Sequence, residues 1–321
     1  QPETSPDHRA HSIEDQAGAS RGGQPFTKAV PRWRRRILTP SSPRVTRTPS
    51  SAAGCKCAVV EPYYSDDRAT LYQADALAVL AALPTASVDA LICDPPYSSG
   101  GFTRGDRSGD TRDKYIQSGS GNKDLADFAG DNRDQRGYEY WCVLWLSECL
   151  RLVKPGGVAL LFTDWRQLPI TTDAMQAGGF VWRGVVPWAK RSYRPQAGRF
   201  AAQCEYVVWG SRGGMGIDYE AECLPGFFLA ASPREREHIT QKPLDVMREL
   251  VKIAPEGGTV LDPFSGSGTT GVAALIEGRR FVGIEMVEHY AEVAANRLRT
   301  VAQGYRDDGH QAALEFGEES A

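Results

Sequence analysis

The segment Asp94-Pro95-Pro96-Tyr97 puts a carboxylate and a phenol directly after a short apolar run, Val88–Cys93. The run has no helical periodicity and predicts a buried strand, which must end where proline removes the backbone donor. The two prolines fix φ at successive residues and push the backbone before them to extended geometry. This predicts a stiff corner beyond the carboxyl end of a strand, where open α/β sheets bind ligands. An ordinary strand-ending turn is the alternative interpretation of these four residues.

A second motif, "VLDPFSGSGTT" (260–270), contains another strand end with residues that could bind a ligand. The pattern predicts a strand leading into Asp262, a turn with Gly266 and Gly268, and then a helix. Glycines let the backbone approach a bound small molecule, and the helix start offers free N–H groups. Glu285 follows at the end of the next predicted strand, where an acid can bind ribose hydroxyls. The motif lacks the lysine of a phosphate-binding loop, which favours a neutral or cationic nucleoside ligand over a triphosphate.

Strand and helix signals alternate from about Asp75 onward, which predicts an α/β fold with a mostly parallel sheet covered on both faces. We expect this domain to span 58–305, with a mobile loop at 98–137 that has seven basic and seven acidic residues. The predicted helices are 75–84, 138–153 (ended by "KPGG"), 170–179, 243–254, 269–278 and 288–299, and the predicted strands are 88–93, 158–164, 180–188, 204–210, 258–264 and 280–286.

The net charge of −3 over 321 residues is unevenly distributed. Residues 1–57 have ten basic and four acidic side chains, a net charge of +6, so the remainder has a net charge of −9. Few large apolar residues occur in 1–57, and we expect a disordered basic arm. A solvated tail, non-specific attraction to nucleic acid and an organellar transit peptide are the alternatives, and four acids near the start weigh against the last. The end, 306–321, is predicted to be a frayed acidic tail.

Cysteine usage and hydropathy restrict the class of protein further. The seven cysteines are scattered and form no CxxC pair, so neither a metal site nor a disulfide framework is indicated. This distribution favours a reducing, cytoplasmic environment. No run of apolar residues is long enough to predict a membrane span or a signal peptide.

The three segments "DPPY", "DPFSGSGTT" and "ITQKP" together resemble the DNA amino-methyltransferases that use S-adenosylmethionine. In this chain the DPPY segment comes first and the FxGxG-type loop last, which is the permuted order of the β-class of these enzymes. The similarity extends over about 70–299. It implies a Rossmann-like, doubly wound sheet in circularly permuted methyltransferase order.

The resemblance implies roles for individual residues at both motifs. Asp94 and the carbonyl of Pro95 would accept the hydrogen bonds of the target amino group, and Tyr97 would stack on a base that has left the duplex. Asp75 would lie near the adenine of the cofactor or cap a helix, and Lys242 would approach the cofactor carboxylate or start a helix in solvent. The catalytic set is Asp94, Pro95, Pro96 and Tyr97, and the cofactor set is Asp75, Thr240, Lys242, Pro243, Asp262, Pro263, Phe264, Gly266, Ser267, Gly268, Thr269 and Glu285.

The substrate implied by the resemblance is adenine N6 in duplex DNA. Cytosine N4, an RNA or protein amide, and a catalytically silent DNA-binding protein remain as alternatives. The target-recognition region is expected at 189–237. Basic and aromatic residues interleave there, as is typical of nucleic-acid contact, and a solvated hairpin is the alternative interpretation. A homodimer and a cognate restriction nuclease are left open as partners. The DNA-binding candidates are Lys190, Arg191, Tyr193, Arg194 and Arg199.

Overall fold

The computed structural model describes five stretches of the chain, all within one structural unit, 55–321. They are residues 60–97, 133–191, 197–216, 222–231 and 241–307. Several sequence predictions lie outside the described residues: the basic arm 1–57, the 98–132 part of the predicted loop, Tyr193, Arg194, Thr240, and 308–321 of the predicted tail.

The described residues contain one nine-stranded mixed sheet. Its order is β1-β2-β9-β8-β3-β4-β6-β5-β7. The run from β2 through β9, β8 and β3 to β4 is parallel throughout, whereas β6 is antiparallel to both β4 and β5. The strands are β1 (Tyr64–Ser65), β2 (Ala69–Gln73), β3 (Val88–Cys93), β4 (Val153–Thr163), β5 (Val181–Lys190), β6 (Cys204–Ser211), β7 (Phe228–Ala230), β8 (Thr259–Asp262) and β9 (Arg280–Glu285).

Helices cover both faces of this sheet. The alternation of side chains along β3 shows the two layers: Ala90 and Ile92 belong to one buried cluster, and Leu91 and Cys93 to the other. The first cluster contains side chains of α4, α5 and α6, and the second contains those of α1, α2 and α3. The helices are α1 (Ala76–Ala82), α2 (Gln135–Leu152), α3 (Leu168–Ala177), α4 (Leu244–Val251), α5 (Thr269–Ile276) and α6 (Glu288–Asp307).

This architecture confirms the predicted Rossmann-like, doubly wound α/β fold. The two strands from the end of the chain, β8 and β9, lie between β2 and β3. That insertion gives the permuted order, because the strand before the DPPY corner precedes in sequence the strand before the glycine turn. Because β3 and β8 are parallel neighbours, the ends of both strands reach the same edge of the sheet.

Some predicted boundaries were wrong. Helix α2 begins at Gln135 instead of residue 138, because Asp134 caps it and accepts a hydrogen bond from the Gly137 amide at 2.7 Å. Strand β4 begins at Val153, so "KPGG" lies within the strand. Gly157 makes this possible, since a Cβ there would lie 2.6 Å from the carbonyl oxygen of Asp89 on the neighbouring strand.

Other differences concern elements that the sequence did not reveal. Strands β1, β2 and β7 were not predicted, and α6 continues to Asp307 instead of ending at residue 299. Within the described ranges, no helix is both long and apolar enough to cross a membrane.

Candidate active site

A pocket of about 230 Å³ lies at the edge of the sheet where the carboxyl ends of β2, β3, β8 and β9 meet. The DPPY corner and the glycine turn both contribute to its wall, so the two predicted motifs share one cavity. Gly268 and Pro243 lie beside lining residues without lining the pocket themselves. The predicted residues in the wall are Asp75, Asp94, Pro95, Pro96, Tyr97, Lys242, Asp262, Pro263, Phe264, Gly266, Ser267, Thr269 and Glu285.

Asp94 is the first residue after β3, and its two carboxylate oxygens have different environments. Oδ2 lies 2.6 Å from Nζ of Lys242. Oδ1 is buried and has no hydrogen-bond partner among the residues that the structure describes. An unpaired buried acceptor costs on the order of 1–3 kcal/mol, so this atom is suited to receive a donor from a ligand.

Lys242 contacts both polar side chains of the DPPY corner. Its side chain is 6% exposed, and Nζ lies 2.6 Å from Oδ2 of Asp94 and 3.1 Å from Oε2 of Glu205. The same ammonium donates a long hydrogen bond of 3.4 Å to the hydroxyl of Tyr97. The predicted contact of Lys242 with a cofactor carboxylate stays a prediction, and in the structure protein oxygens surround the ammonium.

Glu205 is a site residue that the sequence analysis did not select. It lies near the beginning of β6, and because β6 runs antiparallel to β4, this end of β6 reaches the carboxyl edge of β3 and β4. Its Oε1 lies 2.5 Å from Nζ of Lys190, the last residue of β5. Asp94, Lys242, Glu205 and Lys190 thus form a row of alternating charges.

The pKa values in this row follow from burial and neighbouring charge. Burial raises the pKa of Asp94 to about 6, although the adjacent Lys242 opposes the rise. Burial also disfavours the charge of Glu205, but Lys242 and Lys190 together lower its pKa to about 2. For Lys242, burial favours the neutral amine, and the two carboxylates outweigh it and raise its pKa.

The glycine turn after β8 is shaped by its backbone. Gly266 and Gly268 have φ values of +51° and +80°, in the region that favours glycine. The Gly266 amide donates to Oε2 of Glu285 at 2.8 Å, which joins the turn to the end of β9. A Cβ at Gly268 would lie 2.9 Å from the Cβ of Ala294 on α6, so packing as well as conformation requires glycine there.

Helix α6 also holds this turn through Arg297. Its Nη1 donates to the carbonyl oxygen of Ser267 at 2.7 Å and lies 3.2 Å from the hydroxyl oxygens of Ser267 and Thr269. The sequence analysis did not identify Arg297, because its distance from the motif in sequence hides its contact in space.

Asp262 and Ser265 put further polar atoms at the pocket. Burial raises the pKa of Asp262 to about 7, even though its Oδ1 accepts the Phe264 amide at 3.0 Å. Within the described part of the chain, Asp262 forms no ion pair, and the buried hydroxyl of Ser265 has no hydrogen-bond partner. Burial also raises the pKa of Glu285.

An aromatic wall from α2 closes another side of the pocket. Trp141 and Trp145 lie 5.2 and 5.1 Å from the ring of Phe264, measured between centroids. The guanidinium carbon of Arg133 lies 4.3 Å from the centroid of the Trp141 ring. The four-residue spacing of the two tryptophans could have indicated a shared helix face, but it did not indicate that this face borders a pocket.

Asp75 and the basic segment account for the remaining predicted residues. Asp75 caps α1, accepting the Ala78 amide at 3.3 Å, and it also lines the pocket, so the structure is compatible with both predicted roles. Lys190 pairs with Glu205, whereas Arg191 and Arg199 are exposed. Among the described residues, no cluster of His, Cys, Asp or Glu is arranged to hold a metal ion.

Comparisons with known proteins agree with this geometry. The model of a DNA methylase family, N6_N4_Mtase, matches residues 88–225 and 228–296. The Escherichia coli (strain K12) protein YubD, named as a methylase, is 30% identical over 243 residues, covering 74% of this chain and 94% of YubD. The type II methyltransferase M.HinfI of Haemophilus influenzae is 27% identical over 261 residues, covering 74% of this chain and 70% of the relative.

A crystal structure titled as the M1.HpyAVI–SAM complex superposes with a TM-score of 0.51 and 25% identity, covering 72% of this chain and 98% of that one. PvuII DNA methyltransferase, a cytosine-N4-specific enzyme, shares the fold with a TM-score of 0.56 at 17% identity, covering 76% and 94% of the two chains. The family match covers more than half of the chain and includes both motifs that form the pocket. This chain therefore belongs to the N6_N4_Mtase family of DNA methylases.

Proposed function

We propose that this protein transfers a methyl group from S-adenosylmethionine to the N6 amino group of adenine in duplex DNA. The observation that carries the proposal is the buried Oδ1 of Asp94, which has no hydrogen-bond partner among the described residues and belongs to a side chain that lines the same pocket as the glycine turn. A pocket of this kind can hold a nucleoside cofactor and an extrahelical base next to one hydrogen-bond acceptor. The aspartate that begins the DPPY segment favours adenine over cytosine.

The residues present at the glycine turn fit S-adenosylmethionine. The hydroxyl of Ser265, which has no hydrogen-bond partner in the described part of the chain, and the carboxylate of Glu285 would supply polar atoms for the sugar and amino-acid parts. Asp262, a buried carboxylate without an ion-pair partner among the described residues, suits a positively charged ligand. When bound, this cofactor supplies a methyl group on a cationic sulfur. The remaining predicted cofactor residues, including Thr240 outside the described residues, stay part of the proposal.

The DPPY corner would act on the target amino group. The lone pair of an exocyclic amino nitrogen is delocalised into the ring, which makes it a poor nucleophile. Asp94 Oδ1 and the carbonyl oxygen of Pro95 would accept hydrogen bonds from its two N–H groups. These contacts would favour tetrahedral geometry at the nitrogen and stabilise the positive charge that develops there. Tyr97 would stack on the base, a contact worth about 1–3 kcal/mol. The base must leave the duplex first, because the amino group is otherwise paired.

Duplex DNA would lie across the end of the sheet formed by β5 and β6. Arg191 and Arg199 are exposed there and would contact phosphates or base edges, together with Tyr193 and Arg194 of the same segment. Lys190 would act at this surface while its ammonium remains paired with Glu205.

The function can be tested by incubating the protein with S-adenosylmethionine bearing a deuterated methyl group and a mixture of duplex DNA fragments. The DNA is then digested to nucleosides and analysed by mass spectrometry. We expect labelled N6-methyladenine, and no label with Asp94→Ala, which should still bind cofactor. Labelled N4-methylcytosine instead would overturn the adenine assignment. A parallel incubation with RNA of the same sequence tests the nucleic-acid class, and label in RNA alone would overturn the DNA substrate.

A further inference from the structure

Glu205 occupies a position that links the surface for DNA to the catalytic corner. It does not line the pocket, and its side chain is 14% exposed. Its two oxygens are divided between two lysines: Oε1 lies 2.5 Å from Nζ of Lys190, and Oε2 lies 3.1 Å from Nζ of Lys242. The second contact is an ion contact without the alignment of a hydrogen bond.

The consequence for Asp94 follows from counting charges. Lys242 is the cation that directly contacts Asp94, so these two groups alone are neutral as a pair. A neutral pair would weakly stabilise an amino nitrogen that becomes positive while it is methylated. Glu205 adds a second carboxylate to the contacts of Lys242, and with Lys190 included the four groups have a net charge of zero. Glu205 therefore offsets part of the effect of Lys242 on Asp94, while Lys242 still fixes the carboxylate.

The geometry gives Glu205 a second effect. The ammonium of Lys242 has to reach Oδ2 of Asp94 and the hydroxyl of Tyr97 at the same time, at 2.6 and 3.4 Å. A buried lysine side chain has several rotatable bonds and needs a further anchor to keep one position. The contact with Glu205, on the side of Lys242 toward β6, supplies that anchor. Oδ1 of Asp94 is thus left as the oxygen that can accept from the base.

We propose that Glu205 is a positioning residue for methyl transfer, which holds Lys242 against Asp94 and Tyr97 and offsets part of the positive charge of Lys242 at Asp94. The proposal rests on the proposed function in that the group being stabilised is a target amino nitrogen. It goes beyond that function because it assigns a role to a side chain outside the pocket wall.

The variant Glu205→Gln keeps the size of the side chain and removes its charge. The matched control is Asp89→Asn, at the other end of β3, whose side chain is 13% exposed and pairs with Lys154 at 2.8 Å. Both variants neutralise one largely buried, lysine-paired carboxylate, but Asp89 has no contact with Lys242 or Asp94 among the described ion pairs and does not line the pocket. A loss that reflects only a missing ion pair should therefore occur in both.

We expect Glu205→Gln to lower kcat about tenfold, which corresponds to about 1.4 kcal/mol of transition-state stabilisation. Affinity for S-adenosylmethionine, measured by calorimetry, should stay within about twofold. Asp89→Asn should retain the kcat of the unmodified protein. The split between kcat and cofactor affinity distinguishes a positioning role at the amino group from a general loss of structure.

A second readout does not need turnover. The charged groups that act on Asp94 are Lys242 before α4, Glu205 on β6 and Lys190 on β5, and Asp94 in turn raises the pKa of Asp262 at the end of β8. Since Glu205 raises the pKa of Asp94, its neutralisation should move the titration of Asp94 to lower pH. Removal of the opposing cation in Lys242→Gln should move it to higher pH. Carbon-13 signals of labelled aspartate carboxyl groups, assigned with Asp94→Asn, would follow both shifts.

The outcomes separate this proposal from the proposed function. Opposite shifts of the Asp94 titration, together with the loss of kcat in Glu205→Gln, would support it. Equal behaviour of Glu205→Gln and Asp89→Asn in all readouts would overturn it and leave Glu205 as a structural ion-pair partner. Absence of DNA methylation by the unmodified protein would refute the function, and the carboxyl titration would still test the network. If Glu205→Gln does not fold, Glu205→Asp should shift the titration in the same direction by a smaller amount.

Discussion

Replacement of Asp262 by asparagine should stabilise the fold while weakening cofactor binding. Burial raises the pKa of Asp262 from 3.8 to about 7, so ionisation above pH 4 favours the unfolded chain. One pKa unit corresponds to about 1.4 kcal/mol, and the full shift therefore amounts to roughly 4 kcal/mol. Asparagine has no such ionisation, and its Oδ1 can still accept the Phe264 amide. The variant should exceed the unmodified protein in stability by about 2 kcal/mol at pH 5 and by about 4 kcal/mol above pH 7.

Urea unfolding at several pH values between 5 and 8.5 would measure this difference. Asp89→Asn is the control with the opposite sign, because Asp89 is paired with Lys154 and its loss should lower the free energy of unfolding. Calorimetry should show weaker binding of S-adenosylmethionine to Asp262→Asn, because the substitution removes the buried carboxylate that would interact with the positively charged cofactor. A stability difference that does not change with pH would refute the reasoning, because the predicted gain comes entirely from ionisation of one buried carboxyl group.

Three further changes test other parts of the site. Tyr97→Ala should slow methylation about tenfold or more with little loss of duplex affinity, whereas Tyr97→Phe should be mild; equal damage by both, measured by single-turnover kinetics, would contradict a stacking role. Arg297→Met should lower cofactor affinity about tenfold by releasing the glycine turn, and unchanged affinity in calorimetry would show that the turn holds itself. Deletion of 1–57 should leave turnover on short duplexes within about twofold and weaken binding mainly at low salt, so a folded but inactive truncation would disprove the dispensability of this arm.

The fold could be predicted where a local sequence pattern is sufficient to identify the element. Val88–Cys93 is apolar on both faces, as expected of a central parallel strand between two helical layers, and the structure has a strand with these bounds. Strands β5 and β6 were recognised as a pair because their apolar runs enclose a polar connection. Strand β2 was missed because its five residues, "ATLYQ", mix polar and apolar types, and its pairing with β9 spans more than 200 residues of sequence.

The site was predictable as motifs but not as a network. The DPPY corner and the glycine turn could be identified because each is a continuous stretch with an unusual backbone requirement. Glu205 and Arg297 are single residues of ordinary type within regular elements, and nothing in their neighbours distinguishes them. Their positions follow from strand direction and helix packing: β6 brings Glu205 to the edge of the sheet that forms the pocket because it is antiparallel to β4.

The two buried aspartates of the pocket, Asp94 and Asp262, differ in their charged neighbours. Asp94 has a cation in contact with Oδ2 and a second carboxylate behind that cation, whereas its Oδ1 has no hydrogen-bond partner among the described residues. Asp262 has backbone and hydroxyl donors but no ion-pair partner among the described residues, and burial raises its pKa to about 7. A cationic ligand would supply the missing charge at Asp262, whereas a neutral amino group would meet an already balanced carboxylate at Asp94. The charges around the pocket are therefore asymmetric before any ligand binds, and the proposed function would put a cation beside the glycine turn and a nitrogen that gains charge at the DPPY corner.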